Sequence, residues 1–223
     1  MSNQSGTSLV EAAPDTQAPA LTSSRLLLVR HGESTWNRDR RIQGQLDPPL
    51  TERGQLQARE VAERLEGHDV VALYSSDLIR TMQTAAPIAE AVGMEPVKDV
   101  RLREIGLGEW EGKTGEELAE SYPDLWRRWT EQPSWRLVPG GEDPEAFEHR
   151  VAGLIAELFS RHDEGDILCV THGGVIQVAL GQALGRSSDG VFPFLIENCS
   201  LTVLERTRRR SVITAVNDTC HLP

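Results

Sequence analysis

Residues Leu26–Asn37 read LLLVRHGESTWN, and the fold turns on how that stretch is parsed. Three leucines and a valine form a short, unbroken apolar run, the pattern of a buried strand rather than of an alternating surface strand. The run ends in Arg30, His31 and Gly32. Packing gives no reason for a buried strand to carry a guanidinium and an imidazole to its tip. We therefore read a strand over Arg25–Arg30, followed by a loop over residues 31–49 with a single helical turn.

The chain beyond that loop alternates helix and strand. The segment PLTERGQLQAREVAERL (residues 49–65) predicts a helix capped by Thr51 and ended by Gly67, with Leu50, Leu56, Ala58, Val61, Ala62 and Leu65 on its apolar face. DVVALYS (69–75) predicts a second strand. SSDLIRTMQTAAPIAEAVG (75–93) starts on capping residues and stops at Gly93, a second helix. EPVKDV (95–100) predicts a short edge strand. Thr114 and Glu117 form a capping box, and YPDLWRRWTEQP (122–133) adds a helical piece. Phe147, Val151, Leu154, Ile155 and Leu158 mark one face of a long amphipathic helix. DILCV (166–170) predicts a third clear strand, and GVIQVALGQALG (174–185) its helix. NCSLTVLER (198–206) and RSVITAVND (210–218) predict two strands joined by the polar turn Thr207–Arg210. The order predicts a three-layer α/β/α sandwich. Its sheet is mostly parallel with one antiparallel edge strand, and a helical insert over residues 101–145 covers the site.

Composition bounds the function. The 223 residues carry a net charge of −11, which argues against nucleic acid and anionic membrane as partners. An anionic substrate therefore needs a local cluster of positive groups. No apolar run reaches the roughly 18 residues of a membrane helix. The first 24 residues hold no Lys or Arg, unlike a secretory signal, and read as a disordered tail ahead of one domain over residues 25–223. Three cysteines without such a signal favour reduced thiols and a cytoplasmic location. Cys169, inside DILCV, reads as a small buried hydrophobe. No CxxC or HExxH occurs, so no metal site is expected. An edge strand in the C-terminal hairpin is one that a second copy could pair with, a route to a homodimer.

In such sheets, ligands bind at the carboxyl ends of the strands. The first strand ends in Arg30-His31-Gly32. The second leads into YSSDLIR, with Arg80 in the first turns of the following helix. The DILCV strand ends in Thr171-His172-Gly173-Gly174. A single strand-end histidine is ordinarily structural, and an arginine near a helix start ordinarily makes a surface ion pair. Two arginines and two histidines delivered to one rim by three strands are hard to explain as packing.

Guanidinium forks match phosphate oxygens. Two unit charges 4 Å apart interact by about 4 kcal/mol at an effective dielectric near 20. A neutral imidazole can attack phosphorus and hold the group covalently, and a second, cationic imidazole can balance a phosphoryl oxygen. The leaving alkoxide needs a proton, and LREIGLGEWEG offers Glu104, Glu109 and Glu111 as donors. No cofactor is required, and the expected partner is a small phosphorylated metabolite.

Five segments, in this order, resemble the histidine phosphatase superfamily in its phosphoglycerate-mutase-like branch. They are LVRHGES (28–34), IQGQLDPPLTERGQLQA (42–58), YSSDLIRTMQTA (74–85), LREIGLGEWEG (102–112) and VTHGGVI (170–176). The resemblance runs from Arg25 to the C-terminus. It implies that His31 is the phosphohistidine nucleophile, that Arg30, Arg80 and His172 complete the phosphate pocket, and that Glu104 donates the proton. It also implies that Asn37 and the backbone of Gly173 contact phosphate, and that Gln43 and Gly44 lie along the substrate entrance. Glu109 and Glu111 then fall outside the chemistry.

The branch holds mutases and phosphatases. The short chain and the IQGQLD entrance resemble the monofunctional phosphatases. YPDLWRRWTEQPSWRLVPGGED and the ending NDTCHLP are similar to cofactor-independent phosphoserine phosphatases, from which the Gly173-Gly174 pair departs. The expectation is a metal-independent phosphatase of small phosphomonoesters. The alternatives are a phosphoglycerate mutase or a non-catalytic phosphate-binding module, and the latter would lack a histidine, an arginine or Glu104. Trp110, Trp126, Trp129 and Trp135 read either as packing for the insert or as an aromatic wall at the substrate mouth.

Overall fold

The structure, a computed structural model, describes residues 23–187, 193–207 and 211–223. Six strands form one sheet: β1 (Ser24–Arg30), β2 (Val70–Ser75), β3 (Val97–Lys98), β4 (Gly165–Thr171), β5 (Leu201–Arg206) and β6 (Ser211–Asp218). Their order is β3-β2-β4-β1-β5-β6. The first four strands in that order run parallel. The C-terminal hairpin forms the antiparallel edge: β5 runs against β1, and β6 lies outside it, against β5.

The apolar run of β1 is unbroken because both faces of the sheet are covered. Leu26 and Leu28 pack with Ile167 and Cys169 against helices α6 (Pro144–Arg161) and α7 (Gly173–Ala183). Leu27 and Val29 point to the other face, with Leu168 and Val170, against α2 (Glu52–Leu65) and α3 (Ile79–Val92). Alternate residues thus serve two cores, and neither face of the strand can be polar. Cys169 is a fully buried member of the first core.

Several local expectations are met by the expected chemistry. Thr51 caps α2 by accepting from the Gly54 N–H, and Gly93 ends α3 in the left-handed region at φ 69°. One helical turn, α1 (Thr35–Arg38), interrupts the loop after β1. Thr114 and Glu117 close a capping box at the start of α4 (Gly115–Ser121), which leads into α5 (Pro123–Glu131). Trp110 lies at the centre of the insert's own core, edge-on to Trp126 and Trp129 at 5.9 and 5.3 Å. Trp135 packs on Phe147 of α6 at 5.2 Å. The tryptophans thus hold the insert to itself and to the domain.

Two expectations are corrected. Leu56, expected on the apolar face of α2, is 53% exposed, on the outer side of the helix. The capping residues before α3 do not cap it: its N-cap is Leu78, with no side-chain bond to the backbone. Those residues are engaged elsewhere. Ser76 faces His172, and Asp77 pairs with Arg103 at 2.5 Å. Asp47, from the distant entrance loop, accepts the Ile79 N–H instead at 2.6 Å. The strand β1 starts at Ser24, one residue before the expected domain start. The rest of the expected tail, residues 1–22, lies outside the described residues, as does most of the 207–210 turn. Among the described residues no helix is long and apolar enough to cross a membrane.

Candidate active site

The register of the sheet builds the site. Arg30 pairs with Thr171 across parallel strands β1 and β4, so the next residue of each, His31 and His172, emerges beside the other. Their rings stand edge to face with centroids 5.2 Å apart. His31 Nδ1 lies 2.8 Å from the Gly32 carbonyl, which can only accept. Nδ1 therefore carries the hydrogen, and the lone pair is left on Nε2. The carbonyl of His31 accepts from Asn198 Nδ2 at 2.9 Å, which fixes the backbone behind the ring. Gly32 has a packing reason: a Cβ there would come within 2.5 Å of the Gly54 carbonyl, at the N-terminus of α2. Its closest constraint is thus the backbone of a helix.

Both imidazoles are buried, and their surroundings favour the neutral form. Burial is the main cause pulling the His31 pKa well below the ordinary value, helped by the charges of Arg80 and Arg30. His172 shifts the same way, by burial first and then by Arg80, His31 and Arg30. Burial, ahead of the adjacent guanidiniums, disfavours the cationic form expected of His172, and a bound phosphoryl anion would act in the opposite sense.

Arg80 is fully buried in the first turn of α3. Its Nη1 donates to the Leu46 carbonyl at 2.7 Å and its Nη2 to the Gly44 carbonyl at 2.8 Å. Burial pulls its pKa down to about 10, opposed by Glu104, so it stays charged at neutral pH. Arg30 anchors through Nη1 to the Ile196 carbonyl at 2.5 Å. Arg30 Nε, Arg80 Nε and His172 Nδ1 are buried without a protein partner. An unmatched buried polar group costs about 1–3 kcal/mol, more when charged. An anion within hydrogen-bond reach would supply the partner that each arginine Nε lacks, and that His172 Nδ1 lacks where it carries a hydrogen.

Glu104 reaches the same group from the insert. Its Oε2 accepts from the Gly174 N–H at 3.1 Å, in the first turn of α7, and its Oε1 from the Ile105 N–H at 3.0 Å. A Cβ on Gly174 would fall 2.2 Å from Glu104 Oε1. The second glycine of Gly173-Gly174 therefore has a local reason. The competing carboxylates are engaged elsewhere. Glu109 accepts from the Tyr122 hydroxyl at 2.6 Å, and Glu111 Oε1 accepts from the Gln45 and Leu107 N–H groups at 2.9 and 2.8 Å.

The remaining expected site residues lie around this group. Asn37 Oδ1 accepts from the Ser34 N–H at 3.1 Å and from Asn198 Nδ2 at 3.3 Å. Gln43 accepts from the Ser34 hydroxyl at 2.7 Å. Gly44 lends its carbonyl to Arg80, and Gly173 starts α7 directly after His172. A cleft of about 390 Å³ extends from Arg30 and Asn198 past Glu33 and Arg53 to the C-terminal Leu222 and Pro223. Asn198, Ser76 and Gln45, whose Nε2 donates to the Glu104 carbonyl at 3.1 Å, are not foreseen from the sequence. Ser76 lies in the quoted YSSDLIR, 3.0 Å from His172 Nε2, but read as a helix cap. Asn198 falls at the start of a predicted strand, and nothing in its spacing points to His31. Among the described residues, no three His, Cys, Asp or Glu side chains gather in a metal-binding arrangement.

Comparison with known proteins identifies the family. The model of the histidine phosphatase superfamily, branch 1, matches residues 26–219. Phosphoserine phosphatase 1 of Hydrogenobacter thermophilus is 40% identical over 198 residues, covering 89% of this chain and 94% of that protein. A probable phosphoglycerate mutase, GpmB, of an Enterobacter species is 36% identical over 181 residues, covering 81% and 84%. Among solved structures, an Entamoeba histolytica phosphoserine phosphatase mutant in complex with phosphoserine superposes with a TM-score of 0.78. It is 30% identical, with 90% of this chain and all of that one covered.

Proposed function

The chain belongs to the histidine phosphatase superfamily, branch 1, and from that premise we propose that it hydrolyses small phosphomonoesters through a phosphohistidine on His31. The observation that carries the proposal is the 2.8 Å contact of His31 Nδ1 with the Gly32 carbonyl, which commits the hydrogen to Nδ1 and leaves the Nε2 lone pair free, in a ring whose burial favours the neutral form. An imidazole nucleophile must be unprotonated to attack, and this one needs no base to make it so.

Each remaining residue has a step. Arg30, Arg80 and His172 hold the phosphoryl oxygens and counter the charge that builds as the group transfers. Asn37 and the Gly173 backbone complete that contact, and Gln43 and Gly44 line the entrance. Nε2 of His31 forms a bond to phosphorus as the ester P–O bond breaks. Glu104 gives its proton to the departing oxygen, then as carboxylate takes a proton from the water that attacks the phosphohistidine. Inorganic phosphate leaves and His31 is regenerated. The positive groups do the work a divalent ion would otherwise do, so turnover should survive dialysis against EDTA; a loss restored by magnesium or zinc would contradict this.

Phosphoserine is the first substrate to try, because both phosphatase relatives carry that name. The GpmB likeness makes 3-phosphoglycerate the necessary control. Phosphate release from phosphoserine without isomerisation of 3-phosphoglycerate is the expected result. Isomerisation outpacing phosphate release would make the chain a mutase, and binding without either reaction a phosphate-binding module.

A further inference from the structure

Arg150, on α6, makes no contact with the phosphate cluster, yet all five of its N–H bonds are used. Nε and Nη2 donate to the two oxygens of Glu142 at 2.7 and 2.9 Å. Nη1 donates to the carbonyls of Arg101 and Arg103, both at 2.8 Å, and Nη2 to the carbonyl of Glu104 at 2.9 Å. Its guanidinium carbon stands 4.5 Å from the Phe147 ring centroid. The Leu102 carbonyl, which Arg150 skips, accepts from the Thr171 hydroxyl at 2.9 Å. Four consecutive carbonyls, 101 to 104, are thus all held by side chains. Glu142 continues the grip: its Oε2 accepts from the Gly106 N–H at 3.0 Å, and its own N–H donates to the Gly106 carbonyl at 2.8 Å.

Only a planar fork with five donors can serve a carboxylate and three carbonyls together, and lysine cannot. Irregular backbone ordinarily runs over the surface and meets water. Here it is bolted down at the residue whose side chain reaches the phosphate pocket. We propose that Arg150, with Glu142 as its counter-ion, is a positioning residue for proton transfer: it fixes residues 101–106 so that the Glu104 carboxyl stands at the leaving oxygen. The proposal rests on the reading of Glu104 as the acid.

The test compares wild type, Arg150→Lys and Glu104→Gln on two esters by kcat/KM, which reports the steps through phosphoryl transfer. One ester is an alkyl phosphate that the enzyme turns over, whose leaving alcohol has a pKa of about 16. The other is p-nitrophenyl phosphate, whose leaving group departs without a proton. Misplacement by an ångström costs up to about 10²-fold, so Arg150→Lys should slow the alkyl ester by about 10–100-fold and the nitrophenyl ester far less. The affinity for inorganic phosphate should hold. Equal losses on both esters, a parallel loss of phosphate affinity, or no loss would overturn the proposal, since a merely structural residue has no leaving-group preference. If Arg150→Lys does not fold, Glu142→Gln, which loosens the same fork, carries the same comparison. A Glu104→Gln enzyme indifferent to the leaving group would overturn the reading of Glu104 and this proposal with it. A leaving-group effect in Glu104→Gln alone would overturn only the proposal.

Discussion

At the scale of single residues, the site separates what spacing reveals from what only contact reveals. His31, His172, Arg30 and Arg80 were legible because each sits at a fixed offset from a strand end. The strand pattern, apolar and bounded, is strong enough to locate those offsets. Asn198 and Arg150 were not legible, because they act through backbone carbonyls of residues 167 and about 50 positions away. No local pattern encodes such a partner. Gly174 was legible as a glycine but not in its reason. Its missing Cβ leaves room for the Glu104 carboxylate, and that makes a sharp prediction. In Gly174→Ala the new methyl meets the end of a flexible side chain rather than backbone, so the fold should yield at little cost while the carboxylate moves. Melting temperature should change by no more than a few degrees, and kcat/KM for an alkyl ester should fall by the 10²–10⁴-fold, roughly, that a positioned acid supplies. A fully active variant would show that this contact places nothing.

At the scale of elements, periodicity located nearly every helix and strand, and caps located several of their ends. The start of α3 shows where that reasoning stops. Ser75, Ser76 and Asp77 are good capping residue types, but the site and the Asp77–Arg103 pair engage Ser76 and Asp77, and Asp47 supplies the bond from another loop. Propensity tells what a residue can do locally and is silent on what tertiary contacts will ask of it. Two substitutions separate the roles. Asp47→Ala should cost about 0.5–2 kcal/mol in chemical denaturation, the range for losing a helix cap. Ser76→Ala should affect catalysis more than stability through its contact with His172. Equal stability losses in both would mean that Ser76 caps after all.

At the scale of the whole molecule, the chain carries a net charge of −11 yet gathers two guanidiniums at one end of its sheet, against the sign of the whole. The layers were legible because a strand buried on both faces has to be apolar throughout. That the hairpin joins the sheet beside β1 was not legible, because nothing local to it names that neighbour. The buried histidines couple the site to global stability. Their folded pKa values lie below the unfolded value of about 6.5. As pH falls through 6.5 the unfolded chain takes up protons that the folded one refuses, so stability is fully present above that pH and declines below it. A phosphate dianion supplies the opposite charge, raises both histidines' affinity for protons and should flatten the decline. Melting temperatures from pH 7.5 to 5.5, with and without inorganic phosphate, should show a fall that phosphate reduces. A curve that phosphate leaves unchanged would mean that the anion binds elsewhere.

The central claim is that the phosphoryl group passes to Nε2 of His31. The direct measurement is to quench the enzyme during turnover of a radiolabelled phosphomonoester and follow the label on the protein. The account predicts an adduct that is lost in acid, survives base, maps to the peptide containing His31 and is absent from His31→Ala, which should not turn over. A label that survives acid, a label lost in base, or turnover by His31→Ala would contradict it.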